Sequence, residues 1–90
     1  MAFEITERDP FIIVKMPTRV DVTNTQDLLD AVRGRITSQG CRFLLDLGDT
    51  EAIDSTALGA IVSLYKSLRV GEGDLMLIGT QGAVQRVLEL

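Results

Sequence analysis

Two short apolar runs, Arg42-Phe-Leu-Leu-Asp-Leu47 and Leu75-Met-Leu-Ile78, with one long amphipathic segment between them, constrain this chain more than any other feature. A nearly continuous apolar run of four to six residues is the pattern of a strand buried on both faces. Between the runs, Ser55 to Arg69 reads as a helix. Leu58, Ile61, Val62, Tyr65 and Leu68 recur there at helical spacing and predict its buried stripe. Gly71 and Gly73 end it. Strand–helix–strand of this length gives parallel strands joined by a right-handed crossover, so the chain is committed to an α/β architecture.

The remaining segments extend that unit. Phe3–Thr6 and Phe11-Ile-Ile-Val-Lys-Met16 read as strands around an Asp9-Pro10 turn, close enough for an antiparallel hairpin. Pro17 to Thr23 is a loop, and Asn24 is the expected N-cap of a helix beginning at Thr25. Leu28, Val32 and Ile36 form the stripe of that helix, broadened by Leu29 and Ala31, and Gly40 is its expected stop. Gly34 weakens it by about 1 kcal/mol relative to Ala. Val84, Val87 and Leu88 mark a third helix. The expected fold is a mixed four-stranded sheet, with a parallel section and an antiparallel N-terminal strand, packed by three helices. No repeat, low-complexity tract or linker interrupts it, so residues 1–90 read as a single domain.

Composition removes several function classes. Nine Lys and Arg against thirteen Asp and Glu leave a net charge of −4, and the cations are scattered. A nucleic-acid partner would require a basic footprint that this chain does not have. Without His there is no imidazole base, Ser–His–Asp triad or imidazole metal site. The single cysteine, Cys41, rules out an internal disulfide and a multi-thiolate zinc site, and reads as a small hydrophobe at a strand start. No apolar run reaches the roughly 20 residues of a membrane span, and MAFEITERDP is not a signal sequence. A soluble, cytoplasmic, non-enzymatic domain without cofactor or metal is expected.

In an open α/β sheet, chemistry gathers at the carboxyl ends of the parallel strands. Three loops emerge there: one with Thr18, Arg19, Asp21 and Thr23, one running from Asp49 to Thr56, and one with Thr80 and Gln81. Asp21 and Ser55 therefore share a rim despite their separation in sequence. The densest segment is Ala52-Ile-Asp-Ser-Thr-Ala-Leu-Gly59, in which Asp54, Ser55 and Thr56 stand at a helix mouth. A phosphoryl group on Ser55 would add about −1.5 to −2 charges where the unpaired N–H groups and the dipole tolerate them. N-capping alone would also select Asp-Ser-Thr before an apolar helix. Asp49, Glu51 and Asp54 are carboxylates of the kind that bind a divalent cation, but acidic loops are commonly just solvated. Asp46 is expected at an edge or hydrogen-bonded.

In order, these segments resemble the STAS domain of bacterial anti-sigma-factor antagonists. The match is carried by Phe43-Leu-Leu-Asp-Leu-Gly-Asp-Thr-Glu-Ala-Ile-Asp-Ser-Thr-Ala-Leu-Gly59, then by Leu75-Met-Leu-Ile-Gly and Ala83-Val-Gln-Arg-Val-Leu88. The resemblance implies that an anti-sigma kinase phosphorylates the serine after the motif Asp, here Ser55, with Thr56 as the alternative. It implies that the unphosphorylated form binds the kinase, that phosphorylation ends binding, and that a phosphatase restores it. The family's Asp before the first helix would be Asp21. Asp21, Thr23, Asp54, Ser55, Thr56 and Leu58 are then the expected partner surface. The chain departs from the family pattern with Thr18-Arg-Val-Asp21 where Gly-Glu-Leu-Asp is usual, and with Ala57 in place of Gly. The family's closing C-terminal helix is expected to be missing after residue 90, leaving apolar surface suited to a homodimer.

Two readings follow: a phosphorylation-switched anti-sigma antagonist, or an unphosphorylated STAS accessory subunit of a membrane transporter or other signalling complex. An enzyme reading fails for want of a base beside Ser55 or a glycine-rich phosphate loop.

Overall fold

In a computed structural model the chain is described over residues 3–36 and 40–88, with the side chains of Ala83, Val87 and Leu88 outside that description. The elements are β1 (Glu4–Arg8), β2 (Phe11–Lys15), β3 (Arg19–Val20), α1 (Thr25–Arg33), β4 (Arg42–Asp46), β5 (Ala52–Ile53), α2 (Ser55–Val70), β6 (Asp74–Ile78) and α3 (Gly82–Leu88). Four strands form one sheet in the order β1-β2-β4-β6. β1 runs antiparallel to β2 and the other pairs are parallel, as the sequence predicts. A turn with a cis Asp9–Pro10 peptide bond closes the hairpin.

Side chains alternate across this sheet. On the inner face one row holds Val14, Leu45 and Leu77, and the next holds Ile12, Phe43 and Leu75. Val14, Phe43 and Leu45 are fully buried, packed with Leu28 and Val32 of α1 and with Ala57, Ile61, Leu64 and Leu68 of α2. α3 packs against β5 and buries Val84. The outer face is different. Its middle row is Thr6, Ile13, Leu44 and Met76, and Met76 is 45% exposed. The expectation that β4 and β6 are buried on both faces therefore holds on one face only among the described residues.

Two helix readings are also corrected. α1 ends at Arg33, with Gly34 as its C-cap. Beyond it Arg35 and Ile36 donate to carbonyls three residues back instead of four, so the helix tightens and stops, and Ile36 is exposed. In α2 the face that meets the sheet is Ala57, Ala60, Ile61, Leu64 and Leu68, whereas Val62 and Tyr65 are exposed. The helix carries two neighbouring apolar stripes. The one with alanines lets its backbone approach the sheet, a choice that periodicity alone does not make. Leu64→Ala should therefore cost about 2–5 kcal/mol in urea unfolding, and Val62→Ala less than about 1 kcal/mol. The reverse order would return Val62 to the core.

Candidate functional site

The loops after β2 and β4 are tied together by a second, two-stranded sheet that the sequence did not announce. β3 pairs in parallel with β5, Arg19 with Ala52 and Val20 with Ile53. Around it Glu51 N–H donates to the Thr18 carbonyl at 2.7 Å, and Asp54 N–H donates to the Val20 carbonyl at 3.2 Å. The buried Thr50 hydroxyl donates to the Pro17 carbonyl at 2.8 Å. A hollow of about 180 Å³ lies over this strap, lined by Arg19, Val20, Asp21, Ala52, Ile53 and Asp54.

Asp54 joins the two loops. Its Oδ1 accepts from Ala57 N–H at 2.8 Å and caps α2, as a carboxylate at a helix mouth should. Its Oδ2 accepts from Val22 N–H at 3.1 Å, 32 positions away. Both oxygens are thus spent on backbone donors of different loops. Ala57, the departure from the family glycine, turns its methyl into the core and is fully buried.

Across from it, Asp21 Oδ1 accepts from the Thr23 hydroxyl at 2.5 Å and from Thr23 N–H at 2.9 Å. Those two bonds, helped by the Arg19 guanidinium 4.0 Å away, hold the Asp21 carboxyl below the usual carboxylate range. Asn24 is not a side-chain cap. Its carboxamide instead accepts from Asp21 N–H at 3.0 Å and donates to the Arg19 carbonyl at 2.8 Å, because the backbone at Asn24 turns the side chain back into the loop.

Ser55 and Thr56 are the first two residues of α2 and both are exposed, and Leu58 is half-buried one turn on. Four and seven residues after Leu58, the exposed Val62 and Tyr65 continue an apolar strip along the helix. Val22, beside Asp54, is 70% exposed. Helical periodicity places Val62 and Tyr65 in the core, and it does not reach Val22 at all. A valine standing alone in a polar loop, and a second stripe on one helix, are the signals that mark them. The third rim loop closes on the second: Gln81 Nε2 donates to the Gly48 carbonyl at 3.1 Å. Gly79 has φ +75°, and a Cβ there would stand 2.8 Å from the Gly48 nitrogen, so only glycine fits.

The other candidates have structural partners. Asp46, in an interior strand, accepts from Gly48 N–H at 2.9 Å. Asp49 pairs with Lys15 at 3.2 Å and raises the pKa of that ammonium. Among the described residues no three His, Cys, Asp or Glu side chains converge on a metal position. Cys41 is half-buried against the core. No helix among the described residues is long and apolar enough to cross a membrane.

Fold and rim define a small α/β domain that presents one helix mouth and its flanking loops as a surface. The chain belongs to the STAS domain family, whose model matches residues 2–90. It is 29% identical over 91 residues to the anti-sigma-B factor antagonist of Listeria monocytogenes, an alignment spanning 100% of this chain and 80% of that one. The NMR structure of a Thermotoga maritima protein matches with a TM-score of 0.83 at 28% identity, covering 97% of this chain and 70% of that one. The anti-sigma factor antagonist SpoIIAA in its unphosphorylated form also matches at 0.83, covering 98% and 78%, and at 15% identity that likeness is one of fold.

Asp54→Ala should cost at least the roughly 0.5–2 kcal/mol of a lost cap. It should also speed amide exchange at both Ala57 and Val22; acceleration at Ala57 alone would show that the bridge to Val22 is not made. Because the folded form holds Asp21 ionised more readily than the unfolded chain does, its stabilising effect is present above the ordinary Asp pKa. It fades as pH falls through the lower, folded value. A carboxyl-carbon NMR titration should place Asp21 below free Asp, and Thr23→Val should move it upward.

Proposed function

We propose that this chain is an anti-sigma-factor antagonist whose unmodified rim binds an anti-sigma factor that is also a serine kinase, and that phosphorylation of Ser55 ends the complex. The observation that carries this reading is the engagement of Asp54. With both carboxylate oxygens committed to backbone donors, Asp54 acts as the frame of the rim and leaves the exposed Ser55 hydroxyl as its reactive group. The name of the Listeria relative, an anti-sigma-B factor antagonist, supports the antagonist part of this reading. In the transfer, Ser55 Oγ forms a bond to the γ-phosphorus of ATP held by the kinase, ADP leaves, and the hydroxyl proton passes to the kinase's base. The phosphoryl group then sits at the N-terminus of α2, where the helix tolerates it. It adds charge beside Glu51, Asp54 and Asp21, which makes an already acidic docking surface strongly negative without unfolding it. A phosphatase would restore the binding form.

Incubation with the cognate kinase and Mg-ATP should yield one phosphopeptide, carrying Ser55, and Thr56→Ala should still be modified. Ser55→Asp should weaken kinase binding at least about tenfold, or about 1.4 kcal/mol. A Ser55→Ala protein that is still phosphorylated would overturn the site assignment. Stable residence in a membrane complex, indifferent to both Ser55→Ala and Ser55→Asp, would favour the accessory-subunit role.

A further inference from the structure

Parallel strands are ordinarily covered on both faces, yet the described elements cover one face of this sheet. The outer face has an apolar centre of Ile13, Leu44 and Met76. On one side of it lies the row Arg8, Phe11, Arg42 and Asp74, and on the rim side the row Glu4, Lys15, Asp46 and Ile78. Three cations and three anions sum to zero on this face, in a chain of net charge −4.

We propose that this face is a homodimer interface, covered by a second copy of the same chain. The support is the charge pattern, which is complementary to itself. About a twofold axis along the strands, between β2 and β4, each row meets its own reverse. Arg8 then falls opposite Asp74, Lys15 opposite Asp46, Phe11 opposite Arg42, and Ile13 opposite Leu44. With the axis turned across the strands, Arg8 meets Glu4, Arg42 meets Asp46 and Phe11 meets Lys15, and Ile13 and Leu44 each meet their own copies. In neither arrangement do like charges face each other. A partner of uniform charge, such as a nucleic acid or a basic peptide, would be repelled at three of the six charged positions. A surface with the same alternation satisfies the face, and this chain carries one.

The contact is small. Strands about 4.8 Å apart, with residues rising about 3.3 Å each, give a face of roughly 20 by 16 Å. That is below the roughly 800 Å² per partner of a standard interface, so the dimer is weak and depends on concentration. Lys15 and Asp74 already have exposed partners within the chain, Asp49 at 3.2 Å and Arg69 at 3.9 Å. The charges therefore set orientation, and Ile13, Leu44 and Met76 supply the attraction. Ser55 and α2 lie on the helix side, so this association stands apart from the function of the rim.

Sedimentation equilibrium of the 90-residue chain from micromolar to millimolar concentration, with amide NMR spectra over the same range, tests the proposal. The expected result is an average mass rising toward the dimer, with amide shifts centred on Ile13, Leu44 and Met76 and none over Ser55–Leu58. Met76→Lys, at an already exposed position, should retain the circular dichroism of the native chain. It should raise the dissociation constant at least about tenfold, because the new charge would be buried without a partner. A chain that stays monomeric to millimolar concentration would overturn the proposal, as would a dimer unaffected by Met76→Lys or one whose shifts fall on α2.

Discussion

The surface of this domain depends on one carboxylate. The N-terminus of a helix leaves four backbone donors without helical partners and concentrates positive dipole there. Asp54 answers that demand with Oδ1 and uses Oδ2 to hold Val22. The start of α2 and the loop before α1 therefore behave as one piece. The strap of β3 and β5 is two residues wide, too short to persist without such support. Asp54, Thr50 and the Thr18 carbonyl keep it closed.

The core beneath gives the rim its rigidity. Phe43, Leu45 and Val14 fix the sheet against Leu28, Val32 and Leu64. Because α2 packs through Ala57, Ala60 and Leu64, its Val62 and Tyr65 are left outside. One helix thus serves as a core element on one side and as a continuation of the rim on the other. The phosphoacceptor role proposed for Ser55 fits this division, since the hydroxyl stands on the exposed first turn of a helix whose buried side is already anchored.

The architecture was legible in the sequence because buried strands and crossover helices leave long periodic signals. β4, β6 and the hairpin fall close to their predicted limits, and so does the start of each of the first two helices. What was not legible rests on short or competing signals. β3 and β5 are too brief to show a period. Val62 and Tyr65 share spacing with the true core stripe, so the face could be assigned only from the packed helix. Asn24 is a residue type favoured at caps, but hydrogen bonds within its own loop, to Asp21 and Arg19, claim its side chain. The joint role of Asp54 was half visible: its position marks a cap, while Val22, its second partner, is brought to it only by the fold.

The central claim is that the rim organised by Asp54 is the docking surface. Its most direct test is an amide footprint, by NMR or hydrogen exchange, of the domain bound to its cognate anti-sigma factor. Protection should be centred on Val22, Ser55, Leu58 and Tyr65, with the outer face of the sheet at Leu44 and Met76 unchanged. Protection confined to the outer face, or to the Asp9–Pro10 end of the sheet, would contradict the account.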